Sequence, residues 1–349
     1  DTDFTLRLMI FFEKKLIDLK MYSVFRNLFM CNSRVLTSVE KEGLYLDRDF
    51  NQKLLEEYKP KIDAARQAIY DLPRVKKFVK KFNQQKVEKY IESIEAELEE
   101  LDYNDPKDKR KIDSREQKIS NIRAGIFTTK KEQELIRPLN LSSPVDLPQL
   151  MYSDSGFKFP VIKNNESGKP STDEDTLVEL RLTVKDPESP KAIFLDKLLE
   201  LRGLQKMYTT YIEGWHEKVQ DDSRLHGRYN IHGTDSNRFS SADPNMQQIP
   251  KTSVDPNIKK QLVAPPGYLY MAFDYSQAEL RMMAHLSGDE TYLEAFAKGV
   301  DPHLGIAAAK YGVSIEEASK AYEDETHPDY KLWKVRRKQA KQIAFGLIY

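Results

Sequence analysis

The 349 residues predict a mostly helical α+β chain. Long stretches carry apolar residues at helical spacing, and strand-like runs are confined to 228–232 and 268–273. With 40% apolar residues the chain has enough hydrophobic mass for one large or two ordinary domains.

Residues 1–58 have helical periodicity, with Leu6, Ile10, Leu16, Leu19, Phe25 and Leu28 among the apolar positions. Glu42-Gly43 marks a turn into Leu44-Tyr45-Leu46-Asp47. The stretch 74–135 is mostly charged. Helical patterns over 85–101 and 108–126, separated by the breaker Asn104-Asp105-Pro106, predict a helical hairpin. Ser171 or Thr172, ahead of the acidic run Asp173-Glu174-Asp175, reads as a helix N-cap. An amphipathic helix follows over 192–211, then strands at 228–232 and 268–273, then helices over 277–286 and 332–349. There is no internal repeat.

Net charge is zero, with 55 basic and 55 acidic residues, yet the charge is unevenly placed. Between Lys331 and Lys341 stand six Lys or Arg and no acid, whereas acids crowd 92–102. The single cysteine, Cys31, excludes an internal disulfide and any multi-cysteine zinc site. No apolar run approaches the length of a membrane span and the start is no signal peptide, so the expected location is cytoplasmic.

Three segments carry chemistry. Asp274 closes the apolar run Gly267-Tyr268-Leu269-Tyr270-Met271-Ala272-Phe273, where an unpaired charge would be costly to bury. It therefore needs a cation, a strong partner or a helix N-terminus to cap. Arg337, Lys341, Phe345 and Tyr349 recur at i, i+4, i+8 and i+12, forming one slowly drifting stripe on a helix. Two cations followed by two aromatics suit a ligand with a polyphosphate at one end and a flat base at the other, a nucleoside triphosphate. The segment 225–250 is dense in amides, hydroxyls and arginine and poor in apolar runs, as expected of a surface that touches phosphate, sugar and base edges.

In this order the three segments resemble the family A DNA polymerases, the DNA polymerase I type. Ser236-Asn237-Arg238-Phe239-Ser240-Ser241 is similar to the family's Thr-Gly-Arg-Leu-Ser-Ser, residues 274–281 to its motif A and 337–349 to its motif B. The resemblance implies a right-hand architecture: a helical thumb and part of the fingers on an antiparallel palm sheet. It divides the chain into the end of a 3′–5′ exonuclease domain and its connection (1–58), the thumb (59–224), the palm (225–290) and partial fingers (291–349). The hairpin at 74–135 exceeds the bacterial pattern and fits an insertion such as phage relatives carry. Both ends look cut: Asp1-Thr2-Asp3-Phe4-Thr5-Leu6 resembles the last exonuclease helix, and Tyr349 stops within motif B.

For function, the resemblance implies DNA-directed addition of deoxynucleotides to a primer 3′-hydroxyl, in a bacterial cell or a phage-infected host. Asp274 would bridge two Mg²⁺ ions with the Tyr275 carbonyl as an extra ligand. The second carboxylate, on motif C, is absent from this chain and would come from a missing segment or a second polypeptide. Arg337, Lys341 and His303 would contact the triphosphate, Glu279 would close the ribose 2′ side, Phe345 would stack on the incoming base, and Tyr349 would hold the template-base position until the fingers close. Arg238, Asn245, Gln248 and Gln277 would touch primer-template DNA. Asn237 replaces the family's Gly and Ala344 a frequent Asn. Two rivals stand beside this reading: a catalytically incomplete nucleic-acid-binding fragment, and a single-subunit RNA polymerase relative, against which Glu279 speaks.

Overall fold

The computed structural model describes residues 1–348; Tyr349 and the side chains at 345, 347 and 348 lie outside the described residues. The chain forms two compact units, Asp1–Leu269 and Tyr270–Tyr349.

In the first unit, helix Thr2–Asp18 buries none of its residues, and Phe4, Phe11 and Phe12 stand exposed. Helix Met30–Glu42 ends at Gly43, whose φ of 64° lies in the left-handed region. A Cβ there would also sit 2.8 Å from the Leu225 carbonyl oxygen, so the turn requires glycine. That close approach lets Leu44–Tyr45 pair antiparallel with Arg224–Leu225.

Helix Arg48–Tyr70 starts where Asp47 accepts a hydrogen bond from the Phe50 N–H. It buries Ile62 and Ile69 in a core shared with Phe78, Leu150, Phe157, Leu177, Phe194 and Leu198. The expected hairpin is present as helices Pro73–Glu99 and Pro106–Arg123. Its first helix begins earlier than the 85–101 pattern predicts, because Pro73 opens it and Val75, Phe78 and Phe82 join the main core. Beyond that core the hairpin has one of its own, in which Ile91, Ile94 and Leu98 meet Ile112, Ile119 and Ile122. Asp105 caps the second helix and Pro106 takes its first turn.

The cap expected at Ser171 or Thr172 falls instead on Asp173. Asp173 accepts the Thr176 N–H at 2.8 Å, while the Ser171 hydroxyl accepts from the Asp173 N–H. Charge favours the carboxylate at a helix N-terminus over a neutral hydroxyl. The helix expected over 192–211 spans Pro190–Lys206 and passes into a wider π turn, Met207–Ile212, before continuing as Glu213–Lys218. Tyr211, Ile212 and Trp215 then fill a second core with Leu46, Leu54 and Ile258.

Strand Arg228–Asn230 pairs antiparallel with Ser240–Ala242, so the first predicted strand forms, shortened. The second does not. Residues 268–273 have no strand geometry, and Leu269, Met271 and Phe273 are 91%, 75% and 88% exposed. Among the described residues no strand lies beside them, and an apolar run without a ladder for its N–H and C=O groups has nothing to make it a strand.

The second unit holds helices Ala278–Ser287, Glu290–Ala297, Pro302–Tyr311, Ile315–Glu323 and Tyr330–Ile348. Asp289, Asp301 and Ser314 cap three of them with their side chains. Alanines at 307, 308, 318, 321 and 340 let the last three helices approach closely around Leu304 and Trp333. No helix of the described residues is long and apolar enough to cross a membrane.

Candidate active site

Within the second unit, Asp274 and Tyr275 lead into a tight turn at Ser276-Gln277. Gln277 occupies the left-handed region (φ 55°, ψ 41°) just ahead of helix Ala278–Ser287. Such a conformation is uncommon for a residue with a Cβ and marks a place where the chain is held by its surroundings. Part of the hold comes from Arg281, whose Nε donates to the Ser276 carbonyl at 2.9 Å while its guanidinium lies 4.4 Å from the Phe296 ring centre. The turn carries Asp274 and Tyr275 on an exposed rim rather than into the helix bundle.

Behind the turn opens a cavity of about 270 Å³, lined by Asp274, Tyr275, Gln277, Ala278, Glu279, Leu280, His303 and Lys341. Six of the residues predicted to form the site are thus brought together from three separate segments. The Gln277 Oε1 is buried without a hydrogen-bond partner among the described residues. His303 is 2% exposed, and burial pushes its imidazole below the ordinary value; nearby Asp301 opposes that shift, whereas Arg337 and Lys341 add to it. Burial thus favours the neutral imidazole over the cation.

Arg337 does not line that cavity. Its Nε and Nη2 donate to Asp301 Oδ2 at 2.8 and 2.5 Å, and its guanidinium lies 5.4 Å from the Tyr322 ring centre. The other oxygen of Asp301 accepts the His303 and Leu304 N–H groups at the start of helix Pro302–Tyr311. Arg337 and His303 are legible in the sequence motifs, but the carboxylate that holds both is not. The signal was an Asp-Pro pair at a helix start, which announces a cap and says nothing of a partner on a helix 36 residues away.

Phe345 belongs to helix Tyr330–Ile348, but its side chain lies outside the described residues, as does Tyr349. Ala344 is buried and lines a neighbouring apolar cavity with Leu280, Met283 and Tyr292.

Of the predicted DNA contacts, Gln277 lines the cavity of the second unit, whereas Arg238, Asn245 and Gln248 lie in the first. Arg238 sits in the exposed loop between the strands Arg228–Asn230 and Ser240–Ala242, its carbonyl accepting the Thr234 hydroxyl at 2.8 Å. Asn237 beside it has a φ of 55°, which explains how asparagine stands where the family pattern has glycine: its short polar side chain tolerates the left-handed region. Asn245 Oδ1 accepts the Gln247 N–H, and the Gln248 carbonyl accepts the Tyr211 hydroxyl, while Gln248 as a residue is exposed.

As a metal site, the rim offers hard oxygen donors, the Asp274 carboxylate and the Tyr275 carbonyl, which suit magnesium. The described residues contain no cluster of three acidic, histidine or cysteine side chains. Magnesium keeps waters and takes substrate phosphates, so one carboxylate fits as an anchor but does not by itself complete a two-ion site.

The profile of DNA polymerase family A matches residues 109–349. The chain belongs to this family. It is 37% identical over 212 residues to DNA polymerase I of Pseudomonas aeruginosa, covering 60% of this chain and 21% of that protein. Against the thermostable DNA polymerase I of Thermus aquaticus it is 35% identical over 215 residues, 61% of this chain and 23% of the relative. The chain thus spans under a quarter of these two relatives' length. Among solved structures, the POL domain of Pol1 from M. smegmatis, in complex with DNA primer-template and dNTP, has the same fold. It covers 96% of this chain and 44% of its own, with a TM-score of 0.61 at 24% identity.

Proposed function

We propose that this chain supplies the nucleotide-binding face and one metal-anchoring carboxylate of a DNA-directed DNA polymerase. The reading rests on one observation above the others: Asp274, Glu279, His303 and Lys341, from three segments of a family A chain, converge on a single cavity. A rim carboxylate able to hold a divalent ion against the α-phosphate, a wall acid beside the sugar and a cation for the outer phosphates suit a deoxynucleoside triphosphate.

On this reading Lys341, with Arg337, takes up the charge that gathers on the leaving pyrophosphate, the largest electrostatic demand of phosphoryl transfer. Neutral His303 donates to a phosphate oxygen without adding charge. Glu279 presses on the ribose 2′ position, where a hydroxyl would lose hydration without gaining a suitable partner. Asp274 and the Tyr275 carbonyl would hold magnesium, which when bound lowers the pKa of the primer hydroxyl and polarises the α-phosphate. A second carboxylate, which the family keeps on motif C, would join from outside the described residues on a further segment or a separate polypeptide. Arg238, Asn245 and Gln248 would meet the primer-template duplex, Arg238 at minor-groove acceptors present in every base pair. The setting would be the cytoplasm.

The test is primer extension. These 349 residues combined with a polypeptide carrying the rest of the fingers and the motif C carboxylates should extend a primer on a DNA template with deoxynucleotides. Failure of the combined, folded polypeptides to extend under any divalent ion would overturn the reading.

A further inference from the structure

Asp301 joins two helices that each deliver part of the cavity, Pro302–Tyr311 with His303 and Tyr330–Ile348 with Lys341. Its Oδ1 accepts the N–H groups of His303 and Leu304 at 2.9 and 3.2 Å, and its Oδ2 accepts Nε and Nη2 of Arg337 at 2.8 and 2.5 Å. Both oxygens are engaged, so the carboxylate cannot rotate without breaking a helix cap or a charge-assisted pair. The pair is three-quarters shielded, with Arg337 and Asp301 side chains 25% and 22% exposed. The guanidinium lies over the Tyr322 ring, 5.4 Å from its centre.

A guanidinium is a planar fork with more than one edge able to grip an oxyanion. Asp301 takes the edge formed by Nε and Nη2, and the plane of the group is then set, which aims the Nη1 end in one direction. We infer that Asp301 is a positioning residue for the triphosphate: it fixes the Arg337 fork and, through the same carboxylate, the first turn that carries His303. The inference rests on the nucleotide-binding reading above and adds to it a residue that itself touches no phosphate.

Two effects of removing the charge compete. An Asn at 301 takes a negative charge away from an anion site, which by electrostatics alone would tighten phosphate binding. It also frees a long side chain to sample many rotamers, and that ordering must then be supplied on binding. Positioning requires that the second effect win.

The experiment measures the affinity of the full 349-residue chain for inorganic tripolyphosphate by calorimetry at low ionic strength, where weakened variants still bind measurably. Asp301→Asn keeps a cap oxygen, and circular dichroism and thermal melting check its fold. Binding should weaken about fivefold or more in Asp301→Asn, and by less than about twofold when the same change is made in an Arg337→Ala background, the coupling expected of two contacting groups. Unchanged or tighter binding in Asp301→Asn would overturn the inference. Equal weakening in both backgrounds would also overturn it, because the carboxylate would then serve the helix cap alone. Absence of tripolyphosphate binding by the parent chain would remove the triphosphate site itself, a different failure from either.

Discussion

The Asn51 amide donates to Gln261 Oε1 at 2.7 Å, joining two fully buried side chains that lie 210 residues apart in sequence. Asn51 Nδ2 also reaches the Ile212 carbonyl at 2.9 Å, and its Oδ1 meets His216 Nδ1 at the same distance. Gln261 bonds in turn to the carbonyls of Tyr211 and Ile258. The π turn has carbonyls that a regular helix would use internally, and this pair of amides satisfies two of them.

Replacing Asn51 with Leu should therefore lower stability by about 2–4 kcal/mol, since buried polar partners are left without hydrogen bonds. Urea unfolding would show this as an earlier midpoint. A midpoint equal to the parent's would mean water reaches the site and replaces the amide.

Asp274→Ala in the combined, complete enzyme should abolish extension yet leave primer-template affinity nearly unchanged, because the bound metals act on the transition state. Loss of such an anchor should cost several kcal/mol, so more than about a hundredth of the parent rate would refute the assignment.

Glu279 lines the same cavity as Asp274. Its change to Ala should raise ribonucleotide incorporation relative to deoxynucleotides by opening the 2′ side. Competition assays with both nucleotide types measure the ratio, and an unchanged ratio would put the sugar gate elsewhere.

Glu132 gives a pH dependence with a definite sign. Burial alone would raise its pKa, but the N–H groups of Thr129 and Thr128 and their hydroxyls more than reverse this, and the carboxyl falls from 4.5 to about 2. A folded-state pKa below the unfolded one means stability that is present above the unfolded value and is lost as pH falls toward the folded one. Glu132→Gln should be less stable than the parent at neutral pH, with the difference in urea midpoint shrinking between pH 4.5 and about 2. A difference constant over that window would show that the charge contributes nothing.

Local signals were the legible ones. The hairpin could be read because Asn104-Asp105-Pro106 supplies a breaker, a cap and a helix-opening proline in three residues. Helix Tyr330–Ile348 was legible from its period, and the grouping of Asp274, Glu279, His303 and Lys341 from motif spacing combined with the family resemblance. What stayed hidden depends on partners distant in sequence. Residues 268–273 have the composition of a strand, but a strand is a property of a pair, and composition does not report the missing neighbour. The pairing of Arg337 with Asp301 is not legible because nothing in its own helix announces that partner. The Asn51–Gln261 contact has no local signature at all.

The exposed run at 268–275 bears on the solubility of the 349-residue chain by itself. Tyr-Leu-Tyr-Met-Ala-Phe-Asp-Tyr contains one charge, Asp274, and no proline, and five of its side chains are more than two-thirds exposed. Short apolar segments of high β-propensity self-associate unless a charged gatekeeper interrupts them. Asp274 is that gatekeeper as well as the proposed metal anchor. Neutralising it would remove the segment's only charge, so on the proposed reading solubility and metal binding would depend on one carboxylate. Asp274→Glu, which keeps the charge but moves it by a methylene, separates the two: it should stay as soluble as the parent while still misplacing the metal.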